Sequence, residues 1–113
     1  MSTAFKIVTA ADWGLIRRMG AYAGSEVDRR DGYIHLSTAD QLAETAARHY
    51  AGQDALMLLE VDLDPHGPAV VWEPSRGGAL FPHIYGELRG DSVRDARPFS
   101  VSADGVMRFG DAA

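Results

Sequence analysis

The sequence predicts an α+β fold built on antiparallel strand pairing. Three observations carry that reading. Two helix signals come early, one from Thr9 to Gly20 and one from Ser37 to Gly52. Most strand-like segments come after Ala55. The connections between those later strands are too short for helical crossovers, so sequential strands pair antiparallel.

Phe5-Lys6-Ile7-Val8 reads as the first strand. Thr9 is placed to cap a helix, with Asp12 three residues on as a capping-box carboxylate. Trp13, Ile16 and Met19 then share one helical face, and Gly20 supplies a C-terminal stop. Residues 22–31 are polar and read as a loop, with Arg29 and Arg30 solvated. Tyr33 to Leu36 reads as a second strand. Ser37 or Thr38 caps the second helix, whose apolar stripe is Ala39, Leu42, Ala43, Ala46, Ala47 and Tyr50. Glu44 and Arg48 have the i,i+4 spacing of an ion pair.

Leu56 to Leu59 is apolar without a break, the mark of a strand buried on both faces, and alternation resumes through Asp62. Asp64 to Pro68 is a turn. Ala69 to Glu73 is a strand, and Pro74 to Gly78 a loop rich in glycine. Leu80 to Tyr85 is strand-like, Ser92 to Arg97 is a further strand, and Ala103-Asp104-Gly105 turns the chain into a last strand ending at Phe109.

The segment Gly32-Tyr33-Ile34-His35-Leu36-Ser37-Thr38 carries the most chemical information. It runs an apolar strand into a helix start, where backbone N–H groups are free to hold ligand oxygens. A polar group in an apolar strand is costly unless hydrogen-bonded, so His35 requires a partner from the protein or from a ligand. His83 interrupts a second apolar segment, Leu80 to Tyr85, in the same way. His66, in a Pro/Gly turn, reads as solvated, and His49 as a cation suited to a helix C-terminus. Glu73 ends a strand beside Trp72, where desolvation would raise its pKa. It pairs ordinarily with Arg76, whose loop of Glu73, Ser75, Arg76, Gly77 and Gly78 suits closure over an anion. Two other readings stand beside a ligand site. One is a non-catalytic interaction module with structural histidines. The other is a metal-dependent hydrolase using His35, His83 and Glu73.

The segments Gly32 to Thr38, Gln41, Leu58 to Asp62, Trp72-Glu73 and Phe81-Pro82-His83-Ile84-Tyr85-Gly86 resemble the small bacterial family called domain of unknown function 952. The likeness runs from about Phe5 to Phe99, leaving residues 100–113 as an extension within a single domain spanning 1–113. That family is similar in fold to ADP-ribosyltransferases, with split, curved antiparallel sheets and early helices. A looser likeness reaches tRNA 2′-phosphotransferases, through His35-Leu36-Ser37, Arg48-His49 and Leu56 to Val61.

The resemblance implies NAD or ADP-ribose bound between the sheets, with ADP-ribosyl or phosphate transfer as the reaction and no metal. In that picture Glu73 stabilises oxocarbenium-like charge on the ribose. His35 holds ribose hydroxyls or a phosphate, assisted by Ser37 and Thr38. His83 and Tyr85 line the pocket, and Arg76 meets the diphosphate. Lys6 stands on the first strand where many relatives are expected to carry His. It reaches further than imidazole and, when charged, only donates.

Composition narrows the partners. The 113 residues are 46% hydrophobic, enough for one packed domain. A net charge of −5 and a pI near 5.2 argue against nucleic acid as the partner. No apolar run reaches membrane-spanning length and no secretory signal opens the chain. The absence of cysteine excludes disulfides and thiolate chemistry and fits the cytoplasm.

Overall fold

A computed structural model describes residues 2–109, with the backbone alone for Arg76. The first strand, β1 (Thr3–Thr9), feeds directly into helix α1 (Ala10–Met19). Thr9 Oγ1 accepts from the Asp12 backbone N–H at 3.0 Å, and Gly20, at φ +78°, closes the helix. The Asp12 carboxylate does not complete a capping box; it accepts from the Tyr22 hydroxyl at 2.7 Å. Ile16 is buried on this helix, whereas Met19 is exposed.

Residues 22–31, expected as a loop, hold a strand end and a helix instead. A two-residue strand, β2 (Ala21–Tyr22), is followed by helix α2 (Glu26–Asp31). Ser25 and Asp28 form a reciprocal capping box, and Gly32 ends the helix in the left-handed region at φ +90°. Five polar residues and a lone Val27 carry no apolar periodicity, which is why their pattern reads as loop.

Strand β3 (Ile34–His35) is only two residues long, and helix α3 (Ala39–Tyr50) follows from the N-cap Thr38. Ala46 is buried on α3, with Leu42 and Tyr50 packed against the core. Ala39 and Ala43 lie at the surface, so the buried stripe is narrower than the alanine pattern implies. Glu44 and Arg48 pair as expected, at 2.9 Å.

The rest of the chain is strand-rich: β4 (Leu56–Asp62), β5 (Val70–Pro74), β6 (Leu80–Ile84), β7 (Leu88–Arg89), β8 (Val93–Val101) and β9 (Met107–Phe109). Short 3₁₀ turns occupy Asp64–Ala69, Arg76–Gly78 and Gly90–Ser92. All ladders are antiparallel. They form a four-stranded sheet in the order β1-β4-β8-β9, a three-stranded sheet β3-β6-β5 and the pair β2-β7. One bridge between Phe5 and Ser37 ties the larger sheets together, with N···O distances of 2.7 and 2.9 Å.

Two apolar clusters fill the interior. One packs Ile16, Ile34, Leu59, Ile84 and Leu88, and the other packs Ile7, Leu56, Leu58 and Phe99 beneath α3. Among the described residues no helix is long and apolar enough to cross a membrane.

Candidate functional site

The site begins with a register. In the β3–β6 ladder Ile34 pairs with Ile84 and His35 with His83. Side chains alternate across a sheet, so the two isoleucines enter the core while the two imidazoles stand together on the opposite face. Ile34 and Ile84 are fully buried. The rings of His35 and His83 lie 5.4 Å apart, nearly edge to face at 69°. Tyr33 covers them, stacked on His83 at 4.1 Å and tilted against His35 at 4.8 Å.

Behind His35 stands Asp28, 2% exposed. The α2 capping box fixes its side chain: Asp28 Oδ2 accepts from the Ser25 backbone N–H at 3.0 Å. Oδ1 accepts from His35 Nδ1 at 2.6 Å and from the His35 backbone N–H at 3.1 Å. Lys6 Nζ reaches Asp28 Oδ2 at 2.9 Å from β1. Burial alone would push this carboxyl up. The His35 bond, the Lys6 charge and the Ser25 N–H outweigh it and hold the group well below the usual carboxylate range. For Lys6 the balance is opposite. Burial lowers its ammonium pKa, and Asp28 and Asp12 offset only part of that.

His35 has a second carboxylate. Its Nε2 lies 3.0 Å from Oδ2 of Asp31, the last residue of α2, and Arg30 pairs with the other Asp31 oxygen at 3.2 Å. Both ring nitrogens therefore face carboxylates, an arrangement satisfied by an imidazolium donating twice.

His83 carries its own orienting group. Nδ1 donates to Glu73 Oε1 at 2.7 Å, and the Tyr85 hydroxyl reaches the two Glu73 oxygens at 2.8 and 3.0 Å. Hydrogen bonds from His83 and Tyr85 hold the Glu73 carboxyl below its ordinary range. The expected upward shift is thus reversed, because Glu73 is half-exposed and doubly hydrogen-bonded rather than desolvated.

These groups border a cleft of about 550 Å³. Lys6, Asp28, Asp31, His35 and His83 line it, with Phe5, Leu36, Leu42 and Phe81 as apolar wall. Ser37, fixed by the bridge to Phe5, also faces it and bonds Thr45 Oγ1 at 2.9 Å. Gln41 holds α3 against β6: its Oε1 accepts from the Thr38 N–H at 3.0 Å, and its Nε2 donates to Leu80 O at 2.7 Å.

Of the residues singled out in the sequence, Lys6, His35, Ser37 and His83 converge on this cleft. Glu73 and Tyr85 are not among its lining residues and touch it only through His83. Thr38 caps α3 outside the lining. The Arg76 side chain lies outside the described residues. The pairing of Glu73 is with His83 and Tyr85. His66 corrects the expectation of a solvated ring: it is 8% exposed, and its Nε2 accepts from the Arg89 N–H at 3.2 Å. Among the described residues no group of three His, Asp or Glu side chains is placed to hold a metal ion. The metal-dependent hydrolase reading therefore finds no ligand set among the described residues. Asp28, Asp31 and Tyr33 are the members that sequence reasoning missed. The available signal was the i,i+4 spacing of Asp31 and His35 and the Ser25/Asp28 capping pair.

Fold and cleft together define a small α+β protein with a carboxylate-bound histidine pair over a pocket between its sheets. The chain belongs to the family described as Protein of unknown function (DUF952), whose model matches residues 7–96. It is similar to protein CC0527 from Caulobacter crescentus. The crystal structure of that protein is 42% identical, with a TM-score of 0.88 over 95% of this chain and 94% of that one. Its solution NMR structure is 43% identical, with a TM-score of 0.80 over 94% and 91%. Among curated proteins none matches the chain.

Proposed function

We propose that the cleft binds a ribose-bearing nucleotide ligand of the ADP-ribosyl class, such as NAD or ADP-ribose, within an ADP-ribosyltransferase-like fold. The observation that carries this reading is the pair of imidazoles, each held by a carboxylate, bordering one cleft of about 550 Å³. That volume lies within the range of small-molecule sites. The aromatic and aliphatic wall suits a flat ring, and Ser37 supplies a hydroxyl beside it. With Glu73 on Nδ1, a neutral His83 ring keeps Nε2 as an acceptor, the form that takes a proton from a ligand hydroxyl. A hydrogen bond from the ligand to His35 requires Asp31, the more exposed of its two partners, to yield. Asp31 then faces the positive charge that develops at ribose during glycosidic cleavage, a role the resemblance assigns to Glu73.

Thermal melting with NAD, ADP-ribose and ADP tests the reading. A ligand at a hundredfold excess over Kd stabilises the folded state by about 2.7 kcal/mol. The expected result is a melting rise of several degrees with ADP-ribose or NAD, lost in Ser37→Ala while that variant still melts cooperatively. No rise with any of the three at millimolar concentration overturns the assignment.

A further inference from the structure

Lys6 is the sole lysine of the 113-residue sequence, beside ten arginines. It is also 5% exposed and lines the cleft. Lysine is seldom buried, and an arginine there would be permanently charged. The residue chosen at this position is the basic side chain that can shed its proton and become a nucleophile.

Burial favours that state, and the surrounding carboxylates oppose it. Asp28 faces Lys6 from α2, Asp12 adds a weaker negative field from α1, and His35 shares Asp28 from β3. Asp31, paired with Arg30, faces the second nitrogen of the His35 ring. Arg30 keeps its charge, and the His35 ring sits between both carboxylates. Burial is the largest influence on Lys6; it outweighs the two carboxylates and lowers the ammonium pKa.

We propose that Lys6 captures a small aldehyde or ketone in the cleft as an imine. The Nζ lone pair forms the C–N bond as the carbonyl π electrons move to oxygen. The two amine protons then pass to that oxygen, and it departs as water. A C=N bond to Nζ remains, and nothing is oxidised or reduced. An open-chain sugar or sugar phosphate belongs to this class of substrate, as does a simple α-hydroxy aldehyde. The assignment does not rest on nucleotide binding, and the two stand or fall separately.

Reductive trapping tests it directly. The 113-residue chain is incubated at neutral pH with glycolaldehyde or ribose 5-phosphate and sodium cyanoborohydride, then digested and mapped by mass spectrometry. Because no other lysine exists, the chain offers only Nζ of Lys6 and the terminal α-amine, which mapping separates. The expected outcome is trapping at Lys6 on the order of tenfold faster in the folded chain than in urea, where the amine is ordinary. Lys6→Arg loses this adduct and retains the α-amine adduct. Labelling of the α-amine alone, or a Lys6 rate no faster folded than unfolded, overturns the proposal whether or not Lys6→Arg folds.

Discussion

His35 and Lys6 are joined through a single carboxylate: Asp28 accepts from His35 Nδ1 at 2.6 Å and from Lys6 Nζ at 2.9 Å. Three elements distant in sequence, β1, α2 and β3, are thereby fixed to one another inside the cleft. Removing Asp28 leaves the buried Lys6 Nζ without its carboxylate partner. Breaking a buried pair at one partner costs about 3–5 kcal/mol, whereas removing both partners costs much less. Asp28→Asn should destabilise the chain by about that amount in urea unfolding. The double variant Asp28→Asn/Lys6→Met should recover at least about 1 kcal/mol of it as a coupling energy. Additive losses in the cycle would show that the pair contributes no mutual stabilisation.

The bond from His83 to Glu73 has a spectroscopic consequence. Glu73 is held ionised by His83 and Tyr85, so it only accepts, and Nδ1 must carry the proton. Long-range proton–nitrogen spectra near pH 8 should show His83 as the Nδ1–H tautomer. Glu73→Gln offers a donor as well as an acceptor and should yield a mixture of tautomers, with the fold retained. Observation of the Nε2–H form in the unaltered protein would contradict the geometry.

Much of this architecture is legible in the residues. Thr9, Gly20 and Thr38 mark helix ends because capping is local chemistry, and the apolar run through Leu59 marks the central strand because burial on both faces needs no alternation. The histidine pair is half legible: each ring visibly interrupts an apolar strand, but their direct opposition comes from a register that spans 48 positions of chain. The role of Asp28 is hidden for a different reason. Its helix has five polar residues and one exposed valine, and its partners Lys6 and His35 lie on separate strands, so no apolar pattern around it announces burial. Glu73 illustrates the reverse error. A carboxylate beside tryptophan suggests desolvation, yet two hydrogen-bond donors decide its state.

His66 couples stability to pH. Burial is the leading cause of its lowered pKa, and its Nε2 accepts from the Arg89 N–H, a bond that only the unprotonated nitrogen makes. With the folded pKa below the ordinary 6.5, the unfolded chain binds the proton more readily. This contribution is complete above 6.5 and is lost as pH falls through the folded value. Urea midpoints should decline as the medium is acidified from neutrality, and His66→Gln should flatten that decline. A second decline, from Asp28, belongs below the ordinary carboxylate value of 3.8, because its folded pKa is depressed as well. An equal decline in His66→Gln and the unaltered protein between pH 7 and 5 would contradict the His66 assignment.

Gly24 controls the approach to Asp28 from outside the cleft. Its φ of +111° is a conformation that side chains resist, and a methyl group there would sit 2.6 Å from Cβ of Asp28. Gly24→Ala therefore carries two penalties, backbone strain of about 1–3 kcal/mol and displacement of the carboxylate that orients His35. Lower stability alone would follow from strain anywhere. The distinguishing result is local: the His35 ring signals should shift in Gly24→Ala, while those of His66, bonded to Arg89 in another part of the fold, stay in place. An unchanged His35 environment would mean that α2 absorbs the methyl by moving as a unit, and that Asp28 is held by Lys6 and His35 rather than by the turn before it.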